Sequence, residues 1–205
     1  MISIHTSEST NSTAALVAAI QGARLSYDSA HKSDSIGGAL GEADRTLALR
    51  LTKGGASHSK FLRQVPVMMT VTAPLFWWKE YATYKVGTTE NSTSTMHRSM
   101  AKPFSMEDFS TDTLTPLARK SLEFTIAALN ELREKYLETK DPDLWRSIIC
   151  LLPESYLQTR YCSTNYAALI NVYHQRKAHR LYEWHDFCDW VADLPHMADF
   201  LAASN

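Results

Sequence analysis

Asn165, Arg176, His179 and Glu183 recur near the C-terminal end of the chain together with Leu169, Val172, Phe187 and Trp190. On one continuous helix, at 100° per residue, these eight positions share a sector of roughly 80°. A stripe that narrow is ordinarily all core. This one also carries an amide, a guanidinium, an imidazole and a carboxylate, and burying such groups unpaired costs on the order of 1–3 kcal/mol each, more for a charge. Either they pair with one another in an interhelical salt-bridge network, or they converge on a ligand. Leu152-Pro153, Thr164 and Asn171 lie in the same stretch and add a hydroxyl and a second amide beside it.

Other chemistries fit less well. His174, His179 and His185 are spaced by five and six residues, not the three or four that put two ligands on one helical face, so no metal site is expected. Cys150, Cys162 and Cys188 form no Cys-x-x-Cys pair and are expected to be reduced core thiols. Cys150 has no adjacent base to make it a nucleophile. Gly37-Gly38-x-x-Gly41 follows no predicted strand, so it is a flexible connection and not a dinucleotide fingerprint.

The elements that must position these groups are mostly helical. Thr13 caps a predicted helix over Ala14–Gly22, and Ser26–Gly41 is loop. A short helix follows over Glu42–Leu51, stopped at Gly54-Gly55. Val65–Thr72 is a β-branched, Met-rich strand with Pro66 near its start. Pro74 opens a helix over Leu75–Tyr84, whose rings Phe76, Trp77, Trp78, Tyr81 and Tyr84 cover more than one face. Core packing takes some of them, and another subunit or a ring-shaped ligand is expected to take the rest. Gly87–Ser94 is a polar loop able to hydrogen-bond a nucleotide. Thr115–Thr139 is an amphipathic helix and Asp143–Leu152 a second, shorter one. Pro153–Ser163 is turn or strand. Thr164 then caps a last helix running to about Asp193. The fold class is α+β with little strand and no repeats.

Composition narrows the function. With 205 residues and 44% hydrophobic content, a frayed tail over 1–13 and a single domain over 14–205 are expected. A net charge of −1 gives no basic field, which argues against a nucleic-acid polymer as partner and requires local charges to meet any small anion. No run of 18 apolar residues and no signal peptide is visible, so no membrane association and a cytoplasmic location are expected.

The order Leu152-Pro153, Asn165, Asn171, Arg176, His179/Glu183 resembles the C-terminal signature of the flavin-dependent thymidylate synthases. Ala23-Arg24-Leu25-Ser26-Tyr27-Asp28 is similar to that family's N-terminal Ala-Arg-x-Ser-Phe/Tyr segment, and His58-Ser59-Lys60-Phe61 to its Gly-His-x-Ser/Thr-x-Phe loop. Val71-Thr72-Ala73-Pro74-Leu75-Phe76 resembles the strand that enters its central motif. In order and spacing these segments cover about 170 residues. The central motif, Arg-His-Arg-x-x-Ser-x-x-x-x-Ser-x-Arg, is degenerate. Thr83, Tyr84 and Lys85 stand on Arg-His-Arg, Thr88 and Thr93 on the serines, and Thr95 on the last arginine, with Arg98 three residues beyond. Lys85 keeps one cation without the bidentate fork.

The resemblance implies an FAD enzyme that uses NADPH and methylenetetrahydrofolate to convert dUMP to dTMP, assembled as a homotetramer. It implies flavin contacts at His58, Tyr84, Lys85, Thr88, Asn165 and Asn171, and substrate contacts at Glu80, Thr93, Thr95 and Arg176. Arg176 is the expected catalytic residue, stabilising charge that develops on the pyrimidine. Glu80 stands where the family usually has a substrate-side glutamine. A carboxylate accepts from the exocyclic amine of cytosine but not from O4 of uracil. Hence dCMP, or a hydroxymethyl product, is the alternative, unless Glu80 pairs with Lys79 or Lys85. The thinned motif also leaves open a non-catalytic homologue without flavin.

Overall fold

Four strands make one sheet in this computed structural model, which describes residues 2–7, 13–94 and 101–204. They are β1 (Ser3–Thr6), β2 (Pro66–Pro74), β3 (Thr89–Ser92) and β4 (Leu157–Asn165), in the order β1-β2-β4-β3. Register follows from the main chain. Val65 O accepts from Tyr166 N, and Leu75 N donates to Tyr156 O, so β4 runs antiparallel to β2. β2 alternates in burial, with Val67, Met69, Val71 and Ala73 inside, as a half-buried strand requires. The helices are α1 (Thr13–Leu25), α2 (Glu42–Lys53), α3 (Leu75–Tyr81), α4 (Pro116–Thr139), α5 (Pro142–Leu151), α6 (Tyr166–Arg176), α7 (Tyr182–Ala192) and α8 (Met197–Ala203). The class is α+β, as expected, and no described helix is long and apolar enough to cross a membrane.

The chain divides into two compact units, and the division falls inside all four strands. The first comprises Met1–Ser3, Thr72–Thr83 and Asn91–Arg160. Thr115 caps α4 by accepting from Ala118 N, Pro116 occupies its first turn, and Lys140 ends it at φ 57°. Asp141 then caps α5 through Asp143 N. The two helices pack Leu122, Ile126, Leu129 and Ile148 against Phe104 and Phe109. The Asn130 amide pins that aromatic segment, accepting from Phe104 N at 2.7 Å and donating to Phe104 O at 2.9 Å.

Trp77, Trp78 and Tyr81 of α3 are buried within the chain, with Trp77 stacked on Tyr81 and Trp78 Nε1 bonded to Gln158 O. These three rings are therefore core, and they give no support to a covering subunit or ligand.

The second unit comprises Ile4–Val71, Tyr84–Glu90 and Tyr161–Asn205. Its polar centre is Asp44, fully buried in α2, which pairs with buried Arg24 of α1 and accepts from Ser33 Oγ at 2.7 Å and Ser35 Oγ at 2.6 Å. Asp34 accepts from Ala43 N and Asp44 N and so caps α2. Gly41 must lack a side chain because a Cβ there would lie 2.3 Å from Asp34 Oδ1. The Ser/Asp/Gly connection read as flexible is thus tied down at several points.

Three other expectations change. Residues 3–6 of the supposed frayed tail form β1. Cys150 is exposed, whereas Cys162 and Cys188 are buried, and burial pushes the Cys188 thiol up to about 11. The long helix expected to run to about Asp193 is two helices, α6 and α7. His179 breaks it: its N–H donates to Arg176 O, its Nδ1 accepts from Leu181 N, and its carbonyl accepts from His185 Nε2 at 2.6 Å. Side-chain bonds to the backbone compete with helix continuation, and the eight-residue stripe is divided among α6 with its cap, the turn at His179 and α7.

Burial opposes ionisation of Asp44, but hydrogen bonds from Ser35, Ser33 and Arg24 outweigh it and hold the carboxyl below its ordinary range. A depressed folded-state pKa gives stability that is present above the unfolded value, about 3.9, and is lost as pH falls through the folded one. Asp44→Asn is expected to cost about 3–5 kcal/mol at neutral pH by orphaning Arg24, and to flatten this part of the acid limb. Denaturant melts at pH 7 and below pH 4 check both; a loss equal at the two pH values contradicts the assignment.

Candidate functional site

Five of the residues singled out from the sequence, Tyr84, Thr88, Asn165, Asn171 and Arg176, lie in one region of the second unit, where the 84–88 loop meets the β4–α6 junction. Arg176, at the end of α6, donates from Nε to the Tyr84 hydroxyl at 2.7 Å. Its guanidinium lies 4.8 Å from the Trp184 ring centroid and 5.5 Å from that of Tyr84, within the range of cation–π attraction. Trp184 is fully buried, and Tyr84 meets it edge-on. Tyr84 OH passes its own hydrogen to Gln175 Oε1 at 3.2 Å, and Gln175 Nε2 donates to Asn171 Oδ1 at 2.8 Å. The result is a relay from Arg176 through Tyr84 and Gln175 to Asn171 that fixes the plane of the guanidinium.

Asn165, not Thr164, caps α6, accepting from Ala168 N at 3.0 Å. Thr164 instead points along the sheet to Thr88, with their hydroxyls 3.2 Å apart. The Asn165 side-chain carbonyl is committed to the helix, and its amide NH₂ faces the 84–88 loop. Gly87, at φ 74°, lies against that NH₂: a Cβ there would sit 2.5 Å from Asn165 Nδ2. Tyr84, Thr88, Asn165, Asn171 and Arg176 therefore share one region, while Lys85 of the same loop is exposed.

His58 stands elsewhere in that unit. It lines an open cavity of about 430 Å³ formed by the end of α1, the turn after it, Leu51 and the 57–64 segment. The Ala-Arg-x-Ser-Tyr and His-Ser-Lys-Phe segments, 30 residues apart in sequence, both contribute to this cavity through Ala23, Ser26, Tyr27, His58, Lys60 and Phe61. None of the other predicted site residues lines it.

In the first unit, Thr93 gives both its N–H and its hydroxyl to Thr159 O, and its carbonyl accepts from Gln158 Nε2 at 2.9 Å. Glu80 is half-buried on α3, and its neighbour Lys79 pairs with Glu154 at 2.5 Å. Thr95 and Arg98 lie outside the described residues.

Sequence reading missed Arg160, whose guanidinium lies 4.3 Å over the Trp78 ring and whose Nε bonds Gln158 Oε1 at 3.0 Å. The missed signal is the i, i+2 pair Gln158/Arg160, which faces one side only if 153–163 is read as strand. Gln175 and Trp184 were missed as well, because the continuous-helix register did not bring them to Arg176.

No protein-family model and no curated protein sequence matches the chain. Its structure is similar to thymidylate synthase X from Helicobacter pylori crystallised with FAD and dUMP, with a TM-score of 0.73 and 19% identity over 100% of both chains. A second structure of that enzyme with FAD and dUMP gives 0.71 and 20% over 98% of this chain and 97% of the other. A UMP/dUMP methylase from Streptomyces cacaoi bound with 5-Br dUMP gives 0.66 and 16% over 97% and 93%. The chain has the fold of the flavin-dependent thymidylate synthases.

Gly87→Ala is expected to destabilise the protein by about 1–2 kcal/mol, the cost of a left-handed conformation for a residue with a Cβ. It should also push Asn165 off its cap. Hydrogen exchange at Ala168 N is the measurement: faster exchange there, with the rest of α6 protected, is expected, and unchanged protection contradicts the contact.

Proposed function

We propose that the chain is a flavin-dependent pyrimidine-nucleotide methylase that transfers a one-carbon unit from methylenetetrahydrofolate to C5 of dUMP, with NADPH as reductant, and that it works in the cytoplasm. One observation carries the proposal. Tyr84, Thr88, Asn165, Asn171 and Arg176, chosen by resemblance and spread over 93 residues of sequence, are brought together in a fold whose solved examples hold FAD and dUMP.

The donors present suit a flavin and a pyrimidine. The Asn165 NH₂, the Thr88 hydroxyl and the Asn171 amide would meet carbonyl and ring-nitrogen acceptors of the isoalloxazine. FAD, when bound, supplies the redox equivalents of the reaction. The protein's own part is orientation and electrostatics. Arg176, set in one plane by the Tyr84 hydroxyl and lying against the Trp184 and Tyr84 rings, is a preorganised cation for a base carbonyl on which negative charge develops during attack from C5. Because the guanidinium is already fixed, little reorganisation is needed when that charge appears. Its planar fork also matches the two-acceptor edge of a pyrimidine better than an ammonium does.

Arg176→Lys tests the assignment. It is expected to weaken dUMP binding about 10- to 100-fold, the loss of one charge-assisted paired contact, with the melting temperature moved by only a few degrees. Calorimetric titration with dUMP, UMP and dCMP, in parallel with thermal melts and the visible spectrum after addition of FAD, reads all three quantities. A variant that melts far below the parent yet binds nucleotide equally well makes Arg176 architectural. A parent that retains no flavin absorbance near 450 nm once free FAD has been removed refutes flavin dependence.

A further inference from the structure

The hydrogen-bond chain beside Arg176 runs in one direction, and one of its members, Gln175, has no part in the proposed reaction so far. A guanidinium has donors and no acceptor, so the Tyr84 oxygen must accept from Arg176 Nε. The single phenolic hydrogen then goes to Gln175 Oε1. With its oxygen turned to Tyr84, Gln175 gives its NH₂ to Asn171 Oδ1. Each amide orientation is thereby settled by the charge at the far end. Asn171 and Gln175 are i, i+4 neighbours on α6 and share one side of it, whereas Gln175 and Arg176 are consecutive and diverge by about 100°. Tyr84, from the loop, joins them. Both amide residues are exposed, so hydrogen bonds, more than packing, orient them.

We propose that Gln175 is a positioning residue: it holds the Asn171 amide with its NH₂ outward, so that this end of the chain takes a hydrogen-bond acceptor, and it ties that end to whatever binds Arg176. The identity of the two ligands, an acceptor edge of the flavin ring at Asn171 and the pyrimidine nucleotide at Arg176, rests on the proposed function. A nucleotide that clamps the guanidinium holds Nε on Tyr84, and with it the phenol, Gln175 and Asn171. The rotamer freedom of two exposed amides is then already lost when the flavin arrives. By linkage the two ligands tighten each other by the same factor. Tyr84 stands where the family that the chain resembles has the histidine of Arg-His-Arg, and a phenol that accepts and donates at once is what brings the loop into the chain.

Titration of the full chain with FAD and with dUMP, each alone and with the other saturating, tests this in the parent, Gln175→Leu and Gln175→Glu, with the side-chain amide signals of Asn171 followed by heteronuclear NMR. In the parent each ligand is expected to tighten the other about fivefold or more, and dUMP alone to shift the Asn171 signals. Gln175→Leu should bring the mutual factor to about twofold or less and leave the Asn171 signals insensitive to dUMP. Gln175→Glu is the sharper variant, because a carboxylate accepts from both neighbours and turns the Asn171 carbonyl outward. At high salt, where the added charge is screened, FAD alone is then expected to bind about tenfold more weakly than to the parent, and more weakly than to Gln175→Leu. A role in folding alone predicts no such order between the two variants. Equal mutual factors in the parent and Gln175→Leu, no mutual effect in the parent, Asn171 signals that ignore dUMP, or FAD bound as well by Gln175→Glu as by Gln175→Leu overturns the proposal; where both ligands bind, the proposed function stands. If FAD does not bind the parent but dUMP moves the Asn171 signals there and not in Gln175→Leu, flavin dependence falls and the positioning role stands. A parent that binds no dUMP overturns both.

Discussion

A carboxylate without exposed surface organises the half of the molecule where most of the candidate chemistry lies. Asp44 sits on α2, yet its partners belong to α1 and to the connection between the two helices: Arg24, Ser33 and Ser35. A buried charge is tolerated only when paired and hydrogen-bonded, so these groups have to be in place together. Satisfying Asp44 fixes where α1 ends, and the residues on either side of Arg24, Ala23 before it and Ser26 and Tyr27 after it, are the ones that face the cavity. Arg45, one residue further along α2, makes a two-point bond to Asp199 of α8. The network thus extends from the cavity wall to the C-terminal helices without passing through a hydrophobic contact.

Arg176 is positioned by different means. Its hold comes from a phenol and two ring faces, in keeping with guanidinium's weak hydration and planar shape. This requires α6 to end where it does. Were the helix to continue past Arg176, Trp184 would be carried along a different register and could not lie under the guanidinium. The bonds of His179 to Arg176 O and Leu181 N stop the helix, and the chain then turns Trp184 inward. One histidine that resembles a ligand in sequence is in effect a turn-maker, and the geometry of the proposed catalytic arginine depends on it.

The elements with strong local signals were legible. Thr115-Pro116 marks a helix start by capping chemistry and Asp141-Pro142 marks where that helix stops, and the β-branched run from Val65 onward reads as strand. The resemblance motifs also led to five residues that the fold gathers, Tyr84, Thr88, Asn165, Asn171 and Arg176. What could not be read depends on tertiary partners. A four-residue edge strand at Ser3–Thr6 has little intrinsic signal and exists by pairing with β2. The burial of Trp77, Trp78 and Tyr81 depends on what packs over α3, which no local window reports. The break after Arg176 falls in apolar-periodic sequence without glycine or proline, so periodicity alone carried the predicted helix past it.

The degenerate central motif is the chain's main departure from the family it resembles, and the structure gives it a physical interpretation. Thr83 and Thr95 replace arginines, yet the hydroxyl at Tyr84 still serves the site: it orders Arg176 instead of meeting an anion. Positive charge is present instead on other elements, at Lys60 and Arg63 beside the cavity and at Arg160 over Trp78. A guanidinium on an aromatic face in a partly buried setting is worth more electrostatically than one on an exposed loop, because it is less screened. Arg176 and Arg160 are each held against rings in this way, whereas Lys60 and Arg63 are exposed. The number of motif arginines is therefore a poor measure of the positive charge this fold holds in place; the orientation of Arg176 and Arg160 is the better one.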